Sequence, residues 1–85
     1  MDRQDVYKLI DGERTYQEGY RKSGDDDKSV AQWIMIIENH LDFAKDDVYH
    51  SNFKNAMNNI RKIAATCVAA MENNDTPSRE EEEND

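Results

Sequence analysis

Two groups of charged residues have types and spacings that could support binding or catalysis. The first, which we call the Glu13 group, consists of Glu13 and Arg14 near the start of the chain and of Arg61 and Lys62 further along. Glu13 follows apolar residues at helical spacing, so its carboxylate is expected on or beside the apolar face of a helix. Because an unpaired charge is costly to bury, such a carboxylate pairs, takes up a proton or binds a ligand. We interpret the Glu13 group as ligand- or partner-binding residues, with a Glu13 salt bridge to Arg61 or Lys62 and a solvated Arg14 as the structural alternatives.

The second group, which we call the acidic ladder, consists of Glu38, Asp42 and Asp46, spaced four residues apart on a predicted second helix. This spacing aligns the three carboxylates along one side of the helix, and their oxygen atoms are the ligands that Mg²⁺ prefers. One interpretation of the ladder is therefore a metal site; the other is a solvated face with salt bridges to basic residues. Asp46, Asp47 and His50 form a further, less specific candidate for a cation site at the following turn.

The elements that would position these residues follow from two apolar stripes with steps of three and four residues, which are typical of one helix face. The first stripe contains Val30, Trp33, Ile34, Ile37, Leu41, Ala44 and Val48. The second contains Phe53, Met57, Ile60, Ala64, Cys67, Val68 and Met71. Together the stripes predict a long antiparallel helix hairpin that holds most of the core. With a first helix over residues 2–20, we predict an all-α, three-helix arrangement dominated by this hairpin.

Polar residues at the ends of the stripes indicate where the helices begin. Ser29 and Gln32 fit a capping box, in which each side chain binds a free backbone amide of the other residue. Ser51 or Asn52 is expected to cap the third helix, because both residue types accept hydrogen bonds from the first turn. Residues 21–28 are polar and contain glycine and three aspartates, which predicts a loop between the first and second helices.

The composition limits the classes of function. The chain has 85 residues and a net charge of −8, which predicts one helical domain over residues 1–77 and a disordered acidic tail over residues 78–85. This charge disfavours direct binding to nucleic acid phosphates. The only cysteine, Cys67, is expected to be a small buried thiol. We find neither a secretory signal nor an apolar run long enough to span a membrane, and we expect a cytoplasmic protein.

A second apolar flank on the hairpin predicts self-association. Ile36, His40 and Phe43 step along the second helix outside its main stripe. A helix with two apolar flanks contacts either two neighbours or another subunit, and so small a domain has a marginal core. We therefore predict an oligomer with Ile36, His40 and Phe43 in the interface. The alternative is that the first helix covers this flank.

Two segments resemble proteins of known origin. Residues 11–20 (DGERTYQEGY), followed by three aspartates at 25–27, resemble the opening of small helical proteins that are common in bacteriophage genomes. Residues 60–72 (IRKIAATCVAAME) resemble the closing helix of an uncharacterised group of such proteins. The similarity extends over most of residues 5–79 and implies a phage origin.

Part of the opening is also similar to phage-encoded all-α (MazG-like) nucleotide pyrophosphohydrolases. Those enzymes present a Glu-Glu-x-x-Glu helix and a later Glu-x-x-Asp to Mg²⁺. Glu38 and Asp42 approximate the first motif, with Asn39 in place of the second consecutive acid, and Glu72 and Asp75 match the second. This resemblance implies a Mg²⁺-dependent reaction, with the acidic ladder holding the metal ion and the cations of the Glu13 group holding phosphates.

Three functions follow from these observations. The favoured one is a non-enzymatic phage-type accessory protein, without a cofactor, that binds or sequesters a host component such as a defence protein or a signalling nucleotide. An acidic surface of this kind gains association rate toward a basic partner by electrostatic steering. The alternatives are the Mg²⁺-dependent nucleotide pyrophosphohydrolase and a structural or assembly protein.

Overall fold

The fold is all-helical, as predicted. A computed structural model describes residues 1–21 and 27–83; the centre of the predicted loop, residues 22–26, and the last two residues of the predicted tail lie outside this range. No strand occurs in the described parts of the chain. The helices are α1 (Arg3–Arg21), α2 (Val30–Tyr49), α3 (Phe53–Asn73) and α4 (Arg79–Glu83).

Polar caps begin the two longest helices where the sequence predicts them. The Ser29 hydroxyl accepts from the Gln32 backbone N–H at 3.2 Å, and the Gln32 side chain accepts from the Ser29 N–H at 2.7 Å. The capping box is therefore present. Of the two cap candidates for α3, it is Asn52 whose side chain accepts from the Asn55 N–H. Ser51 instead adopts a positive φ of 58° in the turn before it.

The segment predicted to be a disordered tail contains the short helix α4. Its first turn is capped by the Ser78 hydroxyl, which accepts from the Glu81 N–H at 3.1 Å. Glutamates in the first turn are also favourable, because the N-terminal end of a helix carries a partial positive charge. Within the described residues α4 does not pack against α1, α2 or α3, so its local sequence alone accounts for the helix.

Helix α3 is the centre of the molecule. It packs against α2 on one side and against α1 on the other, whereas α1 and α2 do not pack against each other within the described residues. The alternative in which the first helix covers the second flank of α2 is therefore wrong. The residues on each side of α3 therefore hold a different neighbouring helix.

The buried core is small and rich in alanine. Trp33 is only 1% exposed and is the one large apolar side chain that is fully buried among the described residues. The other buried apolar residues are Ala44, Ala56, Ala65 and Ala69. Four polar residues are buried with them: Arg14, Gln17, Asn59 and Thr66. Alanine permits close helix approach, but each alanine contributes little apolar area. The buried core therefore contributes less to stability than a core of large aliphatic side chains would.

Among the described residues, the buried apolar side chains all belong to α2 and α3, as predicted for the helix pair, but only Trp33 and Ala44 of them are members of the two stripes. On α2, the buried or half-buried residues Trp33, Ile37, His40 and Ala44 share one side of the helix. The remainder of the first stripe lies beside this side and is exposed. On α3 the alanine-rich side makes the internal contacts, while four of the larger members of the second stripe are exposed. Helical periodicity identifies an apolar face, but it does not state which neighbour covers that face.

Candidate functional site

Glu13 pairs with Arg61 across the contact between α1 and α3. The Arg61 Nε donates to the Glu13 carboxylate at 2.9 Å, and the Glu13 side chain is only 10% exposed. Arg61 Nη1 also donates to the Asn58 side-chain oxygen at 2.8 Å. This is the salt-bridge alternative of the sequence analysis. Because both groups are occupied within the subunit, their first role is to attach α1 to α3.

A second polar contact between α1 and α3 involves Arg14; we call this polar contact region the seam. The Arg14 side chain is 9% exposed, and its Nε donates to the Glu72 carboxylate at 3.0 Å. Glu18, one turn further along α1, lies 3.7 Å from Arg14 Nη1. Burial of this cation is tolerated because two carboxylates lie beside it. Arg14 is therefore not the solvated residue of the structural alternative, and a ligand phosphate would have to compete with Glu72.

Gln17 completes the seam, and the sequence analysis did not select it. Its side-chain N–H donates to the Lys62 backbone carbonyl at 3.2 Å. Its side-chain oxygen is buried without a hydrogen-bond partner among the described residues. The position could have been found from its spacing, because Gln17 follows Glu13 by one helical turn. Lys62 contributes its backbone carbonyl here, so the contact does not test its predicted role in ligand binding.

The acidic ladder lies on the exposed side of α2. Glu38, Asp42 and Asp46 are all exposed, and Asp42 lies 3.9 Å from Lys45 Nζ. Within residues 1–21 and 27–83, no three acidic, histidine or cysteine side chains lie close enough to hold a metal ion. The ladder fits a solvated face in this subunit, and metal binding by it stays a prediction.

Two of the three residues of the weaker cation candidate stay together at the turn after α2. His50 Nδ1 lies 3.6 Å from the Asp46 carboxylate and 2.9 Å from the Asp46 backbone carbonyl. Asp47 instead turns toward α3, where its carboxylate accepts from the side-chain amides of Asn55 at 3.0 Å and Asn59 at 2.7 Å. Asn59 is buried, so this contact fastens the end of α2 to the start of α3.

The predicted interface residues do not share one environment. Ile36 and His40 are half-buried, whereas Phe43 is 62% exposed. The participation of all three residues in an interface stays a prediction. Phe43 is the most accessible to a second subunit, because Ile36 and His40 are partly covered within their own subunit.

An apolar groove lies where the start of α2 meets the end of α3. Val30, Trp33 and Ile34 line one side, and Ala70 and Met71 line the other; the groove has a volume of about 210 Å³. Cavities that bind small molecules are usually larger and carry several polar groups.

Cys67 lies nearby on α3, and burial raises the pKa of its thiol. The fraction of the thiol present as the reactive thiolate at neutral pH is therefore lowered.

The outer flank of α1 exposes aromatic side chains. Tyr16 is 69% exposed and Tyr20 is 80% exposed, and Leu9 lies on the same flank at a spacing of seven residues from Tyr16. Gly12 lies between them, and a Cβ atom at this position would meet nothing within 4 Å. No contact inside the subunit therefore requires a glycine, although glycine costs about 1 kcal/mol relative to alanine within a helix.

The remaining findings concern the molecule as a whole. No helix in the described part of the chain combines the length and apolarity that crossing a membrane requires. Comparisons with protein-family models, with curated proteins and with solved structures gave no match for this chain.

Proposed function

We propose that this chain is a small acidic accessory protein of the phage type, which acts without catalysis by binding a host protein in the cytoplasm. The observation that carries the proposal is the exposed aromatic flank of α1, formed by Leu9, Tyr16 and Tyr20. Tyrosine is enriched where proteins meet, because it offers a large rigid surface together with a polar group. The phage and host parts of the proposal are supported by the resemblance of residues 11–20.

Charge favours a basic partner. The net charge of −8 raises the association rate with a positively charged surface and lowers it with nucleic acid. Gly12 adds a place on the same flank where a partner backbone can approach α1 without a steric clash. An aromatic flank with an open glycine on an acidic protein is the combination that we expect of a surface for a basic protein.

A protein partner is favoured over a signalling nucleotide. Of the three cations that we predicted for phosphate (Arg14, Arg61 and Lys62), Arg14 and Arg61 already contact Glu72 and Glu13. A phosphate would have to displace these carboxylates, which are held by charge-assisted hydrogen bonds. The groove between α2 and α3 is lined mainly by apolar side chains, and none of its described lining residues is a cation.

The proposal includes an antiparallel hairpin of α2 and α3 within an oligomer. Two contacts support the antiparallel direction: Asp47 near the end of α2 binds Asn55 near the start of α3, and Trp33 near the start of α2 shares a groove with Met71. A nitroxide attached to Cys67 tests it by NMR. We expect stronger broadening of amide signals in the first half of α2 than in its second half, and the reverse result would contradict the hairpin.

The binding proposal is tested with a matched set of tyrosines. We expect the immobilised chain to retain a specific protein from a bacterial lysate, and Tyr16→Ala with Tyr20→Ala to reduce that retention by roughly tenfold or more. Tyr7, which is 54% exposed on another side of α1, provides the control. Tyr7→Ala should retain the partner as the unchanged chain does, and high salt should weaken retention in both.

Other results would support the alternatives. A nucleotide that stays bound in native mass spectrometry would replace the protein partner by a small ligand. Release of pyrophosphate that depends on Mg²⁺ and is abolished by Glu38→Gln would establish the hydrolase and contradict a non-enzymatic role. If Tyr16→Ala and Tyr7→Ala have equal effects, the aromatic flank is not the binding surface.

A further inference from the structure

Large apolar side chains form a continuous surface, which we call the α2–α3 face, along one side of these two helices. Its exposed members are Val30, Ile34, Leu41, Val48, Phe53, Met57, Ile60 and Met71. Within each helix they recur at steps of three, four or more residues that keep them on one stripe. Val30 and Ile34 line the same groove as Met71, so the two stripes lie side by side.

The area of this face exceeds what a monomer usually leaves uncovered. Each of its eight large side chains is about half exposed, which amounts to roughly 700 Å² of apolar surface against the roughly 300–600 Å² of the largest patch on typical monomers. A stable interface buries about 800 Å² on each partner. The α2–α3 face alone therefore approaches the area that a lasting protein–protein contact needs.

The small core favours a permanent partner. Inside the subunit, Trp33 and four alanines are the only buried apolar residues among those described, while Val30, Ile34, Leu41, Val48 and Ile60 are exposed on the α2–α3 face. Covering this face therefore adds to the stability of the folded chain, and an occasional partner provides that only part of the time. A second copy of the same chain is the partner that is always available to cover the face.

The borders of the face carry complementary charges. Glu38 and Asp42 lie beside the α2 stripe, with Lys45 near Asp42, whereas Lys54 lies beside the α3 stripe. A two-fold axis that sets α2 of one copy against α3 of the other brings these acidic residues to the side of α3 that carries Lys54. Setting α2 against α2 would instead bring like charges together.

We propose that the α2–α3 face is the contact between two copies of this chain, with α2 of each copy packed against α3 of the other in a four-helix core. This inference rests on the oligomeric part of the proposed function and specifies its surface. It differs from the sequence prediction, which assigned the contact to Ile36, His40 and Phe43. The aromatic flank of α1 stays free to bind the host protein.

Two phenylalanines with equal exposure make a matched test. Phe53 on the face and Phe43 away from it are each 62% exposed, and Phe53 is the first residue of α3, where glutamate is well tolerated. Light scattering after size exclusion should give twice the 9.9 kDa of one chain. Phe53→Glu should raise the dissociation constant by roughly tenfold or more, and Phe43→Glu should leave it unchanged.

The single cysteine supplies a measurement that needs no substitution. Cys67 belongs to the α3 stripe and is half-buried in one subunit, so a second copy on the face would protect it further. We expect its labelling by a thiol reagent to accelerate on dilution, over the same concentrations at which the mass falls. Circular dichroism at each concentration separates this protection from unfolding.

Several outcomes would overturn the inference. A monomeric mass at high concentration contradicts both this contact and the oligomeric part of the proposed function. A dimer that Phe43→Glu dissociates at least as strongly as Phe53→Glu keeps the oligomer but removes this face from the contact. A labelling rate that does not change as the mass changes also contradicts it. Loss of host-protein capture with an intact dimer affects the proposed function alone.

Discussion

The two sides of α3 use different chemistry to hold their neighbours. Toward α1 the contact is a seam of ionic and amide groups, with Arg61 bound to Glu13 and Arg14 bound to Glu72. Toward α2 the contact buries Trp33 almost completely and adds the Asp47–Asn59 hydrogen bond. Apolar burial depends little on salt, whereas paired charges near the surface are screened by it.

This difference predicts a hierarchy of stability within one small fold. The α2–α3 pair should persist under conditions that loosen α1, because its largest contribution comes from removing an indole ring from water. Helix α1, which presents the proposed binding flank, should open first when ionic strength rises. Segments of low local stability are also those most able to adjust to a partner.

Removing the indole ring should have the largest effect. Trp33→Ala leaves a cavity where the bulkiest buried side chain lay, and we expect a loss of about 3–5 kcal/mol in the free energy of unfolding. Urea denaturation followed by circular dichroism, at fixed protein concentration, measures it. Tyr49→Ala is the control, since Tyr49 is 86% exposed. A loss below that of the control would show that α2 is not held by apolar burial.

Neutralising the seam should have a smaller and salt-dependent effect. Glu13→Gln keeps the size of the side chain but removes the charge that accepts from Arg61, for an expected loss of about 1–2 kcal/mol at low salt. Hydrogen exchange should show the increase in opening within α1 rather than α2. Glu82→Gln, in the exposed pair with Arg79, should change nothing measurable. Equal losses at low and high salt would contradict the ionic character of the seam.

Removing a cap tests the α2 side alone. Ser29→Ala deletes the hydroxyl that binds the Gln32 N–H, and we expect a loss of about 1 kcal/mol, independent of salt. Ser78→Ala is the matched control, because Ser78 caps α4, which makes no packing contact with the other helices in the described part of the chain. If both substitutions leave the unfolding free energy unchanged, the capping box does not contribute to the stability of the pair.

The smallest expected effect is a gain at the turn between α2 and α3. Ser51 has a φ of 58°, a conformation in which an L side chain is strained and glycine is not. Ser51→Gly should therefore raise the unfolding free energy by a few tenths of a kcal/mol to about 1 kcal/mol. Ser51→Ala keeps the Cβ atom and should show no such gain; a gain with both would point to a cause other than backbone strain.

Local interactions were predictable from the sequence, and long-range ones were predictable only in part. The Ser29–Gln32 box depends on residues three positions apart, so their residue types suffice to identify it. For α3 the same reasoning left two cap candidates, Ser51 and Asn52. The Glu13–Arg61 pair was one of two alternatives, because helical spacing placed Glu13 on the inner side without fixing its partner. Gln17 was missed, since an amide inside a polar seam has no motif.

What the sequence determined by itself is the helical character of the chain, the positions where α2 and α3 begin and the existence of two apolar stripes. Periodicity and capping are properties of neighbouring residues and need no tertiary contact. Only the tertiary structure decided that α3 lies in the centre and that Trp33 meets an alanine-rich side. The orientation of a helix about its own axis depends on which of its sides gains most from burial against its neighbours, and that balance can be judged only when all of the helices are in place.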